Sequence, residues 1–300
     1  MSTTTPPDVI CVGSVLWDII GRSPDVMRSG ADVPGRIVRL PGGVAMNVAM
    51  TLRRLGLAPT LLTAIGRDAA GDELLEVCAR LRVGTEHVYR ASGMPTDRYL
   101  AIEDANGLIA AIADAHSLEA AGDKILLPLT DGRLGSATQP WSGLMVIDGN
   151  LTETLLTEIA RAPFAAAADL RIVPASPGKV ARLRPLLGHL RATFYVNLEE
   201  ACLLGQSRYD DSASAARGLL AAGARRVLVT DGARDCSDGK AGEEILTDRP
   251  PAVEVNRVTG AGDTFMAAHI IAERNGLARL DALVTAHRAA SAYVSQEIGT

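Results

Sequence analysis

Leu144-Met145-Val146-Ile147, Leu170-Arg171-Ile172-Val173, Thr193-Phe194-Tyr195-Val196 and Arg226-Val227-Leu228-Val229-Thr230 are four short apolar runs with β character. Helical patterns separate them. Thr152 caps a helix running to about Arg161, a second lies near Lys179 to Leu187, and a third spans Ser212 to Ala222. Strands alternating with helices of this length predict a parallel sheet covered on both faces. The same rhythm holds upstream. Asp8 to Val12 reads as the first strand, Ala45 to Leu55 as a helix stopped by Gly56, and Pro59 to Ile65 as a strand. Asp68 to Arg82 follows as a helix with Leu74, Leu75, Cys78 and Leu81 at helical spacing.

Two stretches break the rhythm. Ile19 to Leu40 has no clear helix and several Gly and Pro. Arg98 to Ala113 carries Asn106-Gly107 between two apolar runs, a strong hairpin signal. A hairpin inserted into an α/β chain suggests a small separate sheet, such as a lid. Asp131 to Ser142 reads as a loop. The expectation is one α/β domain over residues 1–300, with a small β lid from about 19–40 and 98–113.

The 300 residues are 47% hydrophobic and 22% charged, which excludes a disordered chain. Aromatic content is 3% and net charge is −5, so neither stacking platforms nor a basic footprint for nucleic acid is present. Cys11, Cys78, Cys202 and Cys236 lie far apart without zinc spacing and read as reduced thiols of a cytoplasmic protein. No apolar stretch reaches the roughly 18 residues of a bilayer span. The N-terminus lacks a signal-peptide pattern, and its first seven residues read as a loose tail.

The chemistry points to Val258-Thr259-Gly260-Ala261-Gly262-Asp263-Thr264-Phe265. A helical pattern follows and is stopped by Gly276, so the glycines sit where a loop enters a helix. Gly260 and Gly262 let the backbone turn tightly and a phosphate come close. The N–H groups and dipole of that helix end favour an anion. Asp263 would then sit beside a bound phosphate, where a carboxylate is repulsive unless it accepts a proton from an attacking hydroxyl. A plain helix cap is the alternative on local pattern alone. The chain has no Walker A motif, no protein-kinase motif set, and no dinucleotide GxGxxG after its first strand.

The chain resembles the ribokinase-like PfkB sugar kinases at both of that family's signatures. The first is Gly42-Gly43-Val44-Ala45-Met46-Asn47-Val48-Ala49, continuing to Gly66-Arg67-Asp68-Ala69-Ala70-Gly71. The second is Thr259 to Phe265. Between them, Asn197-Leu198-Glu199-Glu200 is similar to the family's Asn-x-x-Glu, and Thr230-Asp231-Gly232-Ala233 to its nucleotide loop. The resemblance implies a ribokinase-like fold and an ATP- and Mg²⁺-dependent kinase. Asp263 would be the general base, and Gly260, Ala261 and Gly262 the anion hole. Asn197 and Glu200 would organise Mg²⁺ largely through water. Thr230, Asp231 and Gly232 would hold ATP, and the helix around Ala286 to Tyr293 would border adenine. His287 lies on that helix and reads as structural.

On the acceptor side the resemblance implies that Asp18 grips two sugar hydroxyls, with Gly42, Gly43 and Asn47 lining the same site. Pro41 to Asn47, Tyr99 to Asp114 and Asp148-Gly149-Asn150-Leu151 resemble the pseudouridine kinases within the family. The implied substrate is therefore pseudouridine, phosphorylated at its 5′-hydroxyl. Ribose, another nucleoside or another sugar are alternatives, and a catalytically inactive sugar- or nucleotide-binding protein is the non-enzyme alternative. Asp114 is the candidate reader of the base, and its other reading is a solvent-facing strand end. Two departures stand out. Arg257 occupies the place of a carboxylate that helps many relatives bind K⁺, which puts K⁺ in doubt, although a guanidinium turned to solvent would be neutral in this respect. Tyr195-Val196 stands where Lys-Pro is common. Relatives often pair their lids, so a homodimer is expected.

Overall fold

In the computed structural model, which describes residues 7–30, 32–256 and 260–295, the alternating runs form an eight-stranded sheet between two helical layers. The strands are β1 (Val9–Val12), β2 (Leu16–Arg22), β3 (Arg36–Gly42), β4 (Pro59–Leu62), β5 (Ala64–Gly66), β6 (Tyr89–Ala91), β7 (Arg98–Asp104) and β8 (Gly107–Asp114). They continue with β9 (Leu144–Asp148), β10 (Asp169–Val173), β11 (Ala192–Asn197), β12 (Arg226–Thr230), β13 (Cys236–Lys240) and β14 (Leu246–Asp248). The α-helices are α1 (Val44–Arg54), α2 (Ala69–Arg80), α3 (His116–Ala121), α4 (Glu153–Arg161), α5 (Pro163–Ala167), α6 (Leu198–Gly205), α7 (Ser212–Ala221), α8 (Ala261–Arg274) and α9 (Arg279–Val294). The expected loose tail falls almost wholly outside the described residues.

The large sheet has the order β14-β13-β12-β11-β10-β9-β1-β4. Six strands are parallel, and β13 and β14 return antiparallel at one edge. A parallel sheet must be covered on both faces, so its strands read as continuous apolar runs. β1 shows this directly. Val9, Ile10, Cys11 and Val12 are all fully buried. Ile10 and Val12 pack with Leu155 and Ile159 of α4 and Leu219 of α7. Val9 and Cys11 pack with Met46 and Leu52 of α1, Leu74 of α2, and Met266 and Ile270 of α8. After β1 the chain adds β4 on one side, then β9, β10, β11 and β12 on the other. That reversal leaves a crevice at the carboxyl ends of β1 and β9, where open α/β sheets bind ligands.

Some elements differ from expectation. The single strand expected over Pro59 to Ile65 divides, because the chain leaves the large sheet after Leu62 and β5 pairs with β6 in a separate ribbon. The helix expected near Lys179 to Leu187 is a run of 3-10 turns over Pro177–Leu186. Pro185 has no N–H to donate and crowds the preceding turn, which disfavours a regular α-helix. The β13–β14 hairpin was not legible in Cys236-Ser237-Asp238-Gly239-Lys240, which is polar and weak in β propensity. Tertiary ion pairs carry it: buried Asp238 is held by Arg226 at 2.8 Å and Arg279 at 3.2 Å.

The second sheet has the order β3-β2-β7-β8 and is built from the two stretches that broke the α/β rhythm. Laterally paired residues share a face, so the register sorts its side chains. Leu40, Asp18, Tyr99 and Ala113 form one row, on the face that carries Asp18. Pro41, Trp17, Arg98 and Asp114 form the adjacent row, on the opposite face.

α8 is fastened to the large sheet by Phe265, His269 and Glu273, spaced four apart on one side of the helix. Glu273 accepts from Arg171 of β10 at 2.5 Å and from Arg226 of β12. Arg171 also donates to the Tyr195 hydroxyl at 2.8 Å, and that hydroxyl lies 2.9 Å from His269 Nδ1. This gives the Tyr195 departure a structural role. Its ring packs edge-on against Phe265 and His269, and its hydroxyl joins the ion network. Burial would raise the Glu273 carboxyl, but Arg171, His269 and Arg226 overcome it and hold the group at about 2. Burial pushes His269 down to about 4, so the ring is neutral at pH 7.

Candidate active site

The crevice at the β1/β9 reversal is built around Asp148, the last residue of β9 and fully buried. Its carboxylate accepts from the backbone N–H groups of Ser14 at 2.8 Å, Ala45 at 3.0 Å and Asn150 at 2.8 Å. Two of these donors belong to the loop after β1 and the first turn of α1, so Asp148 ties the two segments together. Burial still outweighs the bonds and raises its pKa. Asn150 in turn accepts from Lys179 Nζ at 2.9 Å. Sequence reasoning singled out Asp148 and Asn150 only by resemblance, and it missed Lys179, whose run looks like an ordinary basic helix.

Asp18 stands on β2 above this edge. A side chain on Gly42 would overlap the Asp18 carboxylate, so glycine is required for their close approach. Burial lifts Asp18 to about 6. Gly43 starts α1, and Asn47 lies one turn into that helix. The Asn47 amide donates to the Asp263 carboxylate and links the acceptor side to the second motif.

Gly260 caps α8 in the left-handed region at φ 88°, where a side chain would be strained and would meet the Tyr293 hydroxyl. Among the described residues no side chain caps this helix. Its first-turn amides are therefore oriented for an anion. Asp263 keeps part of its surface open to the crevice while protein packs its other sides. Burial, with the charges of Asp148, Glu200 and Asp18 adding to it against the Asn47 hydrogen bond, lifts Asp263 to about 7. A carboxylate with this pKa is well matched to proton transfer near neutrality.

Asn197 and Glu200 form a reciprocal capping box on α6. Glu200 N–H donates to Asn197 Oδ1 at 2.9 Å, and Asn197 N–H donates to Glu200 Oε2 at 2.8 Å. Among the described residues only one Glu200 oxygen accepts a hydrogen bond, and burial raises the carboxyl's pKa. Among the described residues no cluster of three or more His, Cys, Asp or Glu forms a metal cage. Asn197 and Thr230 are lateral neighbours on β11 and β12.

Thr230, Gly232, Ala261 and Gly262 line a cavity of about 230 Å³ with Val253, Val255, Phe265 and the α9 residues His287, Ala290, Ser291 and Val294. The segment Pro250 to Val255 was missed in the sequence because it has neither period. Asp231 is turned instead to Arg234 at 2.9 Å. Asp114 does not join the group around Asp18. It lies on the opposite face of the small sheet and accepts from exposed His116 at 2.6 Å. Arg257 lies outside the described residues.

On the expectation that Asp263 accepts the proton of an attacking hydroxyl, kcat/KM is expected to fall as pH drops through about 7, where the carboxylate becomes protonated. A profile flat down to pH 5 would contradict this. The sign for stability is opposite. A raised carboxylate pKa means that ionisation costs the fold, so this group's contribution weakens as pH rises from about 4 to about 7.

The family model described as pfkB family carbohydrate kinase matches residues 6–299. A pseudouridine kinase of Escherichia coli is 29% identical over 262 residues, covering 86% of this chain and 81% of its own. An uncharacterized sugar kinase of the same organism is 30% identical over 265 residues, covering 86% and 70%. Among solved structures, a carbohydrate kinase from Agrobacterium tumefaciens superposes with a TM-score of 0.80 at 26% identity, covering 97% and 92%. Ribokinase of Arabidopsis thaliana, complexed with ribose and ATP, gives 0.77 at 21% identity, covering 99% and 95%. These neighbours establish the ribokinase-like fold.

Proposed function

The chain belongs to the pfkB family of carbohydrate kinases, and from that premise we propose that it transfers the γ-phosphoryl group of ATP to the 5′-hydroxyl of pseudouridine. The observation that carries the reaction is the Asn47–Asp263 pair at the open N-terminus of α8. Similarity to a pseudouridine kinase over most of both chains supports the acceptor.

Asp18 grips the ribose diol through both carboxylate oxygens. Asn47 holds Asp263 in orientation. As the 5′-oxygen attacks phosphorus, its proton passes to Asp263, the bond from the γ-phosphorus to the bridging oxygen breaks, and ADP leaves. The α8 amides stabilise charge on the transferring group. Glu200 and Asn197 supply oxygens suited to Mg²⁺ held through water, and that ion would neutralise phosphate charge. Val38, Leu40 and Ile20 on the Asp18 face of the small sheet act as an apolar roof that limits water. The product is tested by ³¹P NMR. The expected signal is a phosphomonoester coupled to the two C5′ protons of pseudouridine. Free phosphate alone, or a product only from ribose, would contradict the assignment.

The other face of the small sheet exposes Ile37 at 78% and Ile112 at 66%, beside Leu100 and Ile102. We propose that this face is covered by a second copy of the chain, since small sheets with open edges need cover. Light scattering is expected to give twice the 31.4 kDa chain mass. A 31.4 kDa species at micromolar concentration would overturn the dimer.

A further inference from the structure

One buried carboxylate at the root of the small sheet has no part in the reaction. Asp97 immediately precedes β7 and is 3% exposed. Its two oxygens accept from the backbone N–H groups of Ser117 at 2.9 Å and Leu118 at 3.0 Å, in the first turn of α3. Only Ala115 separates α3 from the end of β8. The two bonds therefore close both roots of the β7–β8 hairpin on each other. The Asp97 carbonyl accepts from the Trp17 N–H at 3.2 Å. That bond leads into the parallel ladder that pairs Trp17 with Arg98 and Asp18 with Tyr99. Three of the four strands of the small sheet thus meet at one residue. The preceding residue is tied to a second helix. The Thr96 N–H and hydroxyl donate to Asp68 at 2.9 and 2.5 Å, and Asp68 caps α2.

A buried carboxylate costs more to desolvate than the Ser, Thr or Asn oxygen that can also start a helix. What the carboxylate adds is two acceptor oxygens and no donor. Here each oxygen is filled by a separate N–H.

We propose that Asp97 is a positioning residue for acceptor binding: by locking the roots of β2, β7 and β8 together, it fixes where Asp18 meets the acceptor. Asp18 follows Trp17 directly, so slack at the Asp97–Trp17 rung moves the Asp18 carboxylate relative to the crevice. None of these residues lines the cavity formed by Thr230, Gly232 and α9. The effect is therefore confined to the acceptor side. The inference rests on the reading of Asp18 as the acceptor ligand.

Asp97→Asn keeps the shape but sets an NH₂ group against one of the two N–H donors. With ATP and pseudouridine, this variant of the full chain is expected to raise the KM for pseudouridine about tenfold, the scale of one mismatched buried hydrogen bond. The calorimetric Kd of Mg·ADP is expected to stay unchanged, whereas a purely structural role would weaken both ligands. In an Asp18→Ala background, Asp97→Asn is expected to change kcat/KM little, because residues that act through one another are not additive. Asp97→Ser, which keeps one acceptor oxygen, carries the same test if Asp97→Asn does not fold. An unchanged KM, equal weakening of pseudouridine and ADP, or the full effect persisting in Asp18→Ala overturns the proposal. Wild-type kcat/KM in Asp18→Ala alone, or no turnover of pseudouridine by the wild type, would overturn the acceptor reading and this inference with it.

Discussion

Asp263→Asn is expected to fold normally, bind ATP and acceptor, and turn over about 10² to 10⁴ times more slowly, the span for a positioned general base. The substitution keeps shape and the contact to Asn47 but removes the site that takes the proton. Because kcat falls while binding survives, the loss should appear in kcat rather than KM. The pH limb near 7 should disappear with the group that causes it. Near-wild-type turnover would remove Asp263 from the chemistry and leave it as a helix-end residue.

Glu273→Ala is expected to cost about 3 kcal/mol of stability, toward the low end for breaking a buried ion pair. Two guanidiniums, Arg171 and Arg226, lose a shared carboxylate, but each keeps another in Asp169 or Asp238. Against a total of about 5–15 kcal/mol this is large. The Glu273 contribution is complete above the ordinary carboxyl range. It is lost as pH falls from about 4.5 toward about 2, because the folded state holds the group ionised. Chemical denaturation at pH 7 checks the size, and an unchanged midpoint would contradict it. The same loss loosens the seat of α8, so thermal inactivation should also come earlier.

What was legible followed from local physics. The apolar runs at β1, β9, β10, β11 and β12 could only be strands buried on both sides, and Asp68 and Thr152 cap their helices as their positions predict. Asn106-Gly107 marked the small sheet, although its partner strands β2 and β3 carried no period that distinguished them. Asp18, Gly42, Asn47 and Asp263 converge although more than 200 residues separate the first from the last. That grouping was legible through resemblance, not spacing. Asp114 shows the limit. Its place at the end of a hairpin was right, but the face it occupies depends on register across four strands, and a change of one residue reverses it. His287 was read as structural because a lone histidine has no local signature. Its buried contact is to Asp248, which lies 39 residues away in a hairpin held by ion pairs.

The central claim is tested most directly by initial rates with ATP and, in parallel, pseudouridine, uridine and ribose as acceptors. The expected result is the highest kcat/KM for pseudouridine, about ten- to a hundredfold above uridine, since a site that pairs the extra ring N–H of pseudouridine leaves a buried group unpaired with uridine. Equal use of pseudouridine and uridine, or efficient phosphorylation of ribose with no nucleoside turnover, would contradict it.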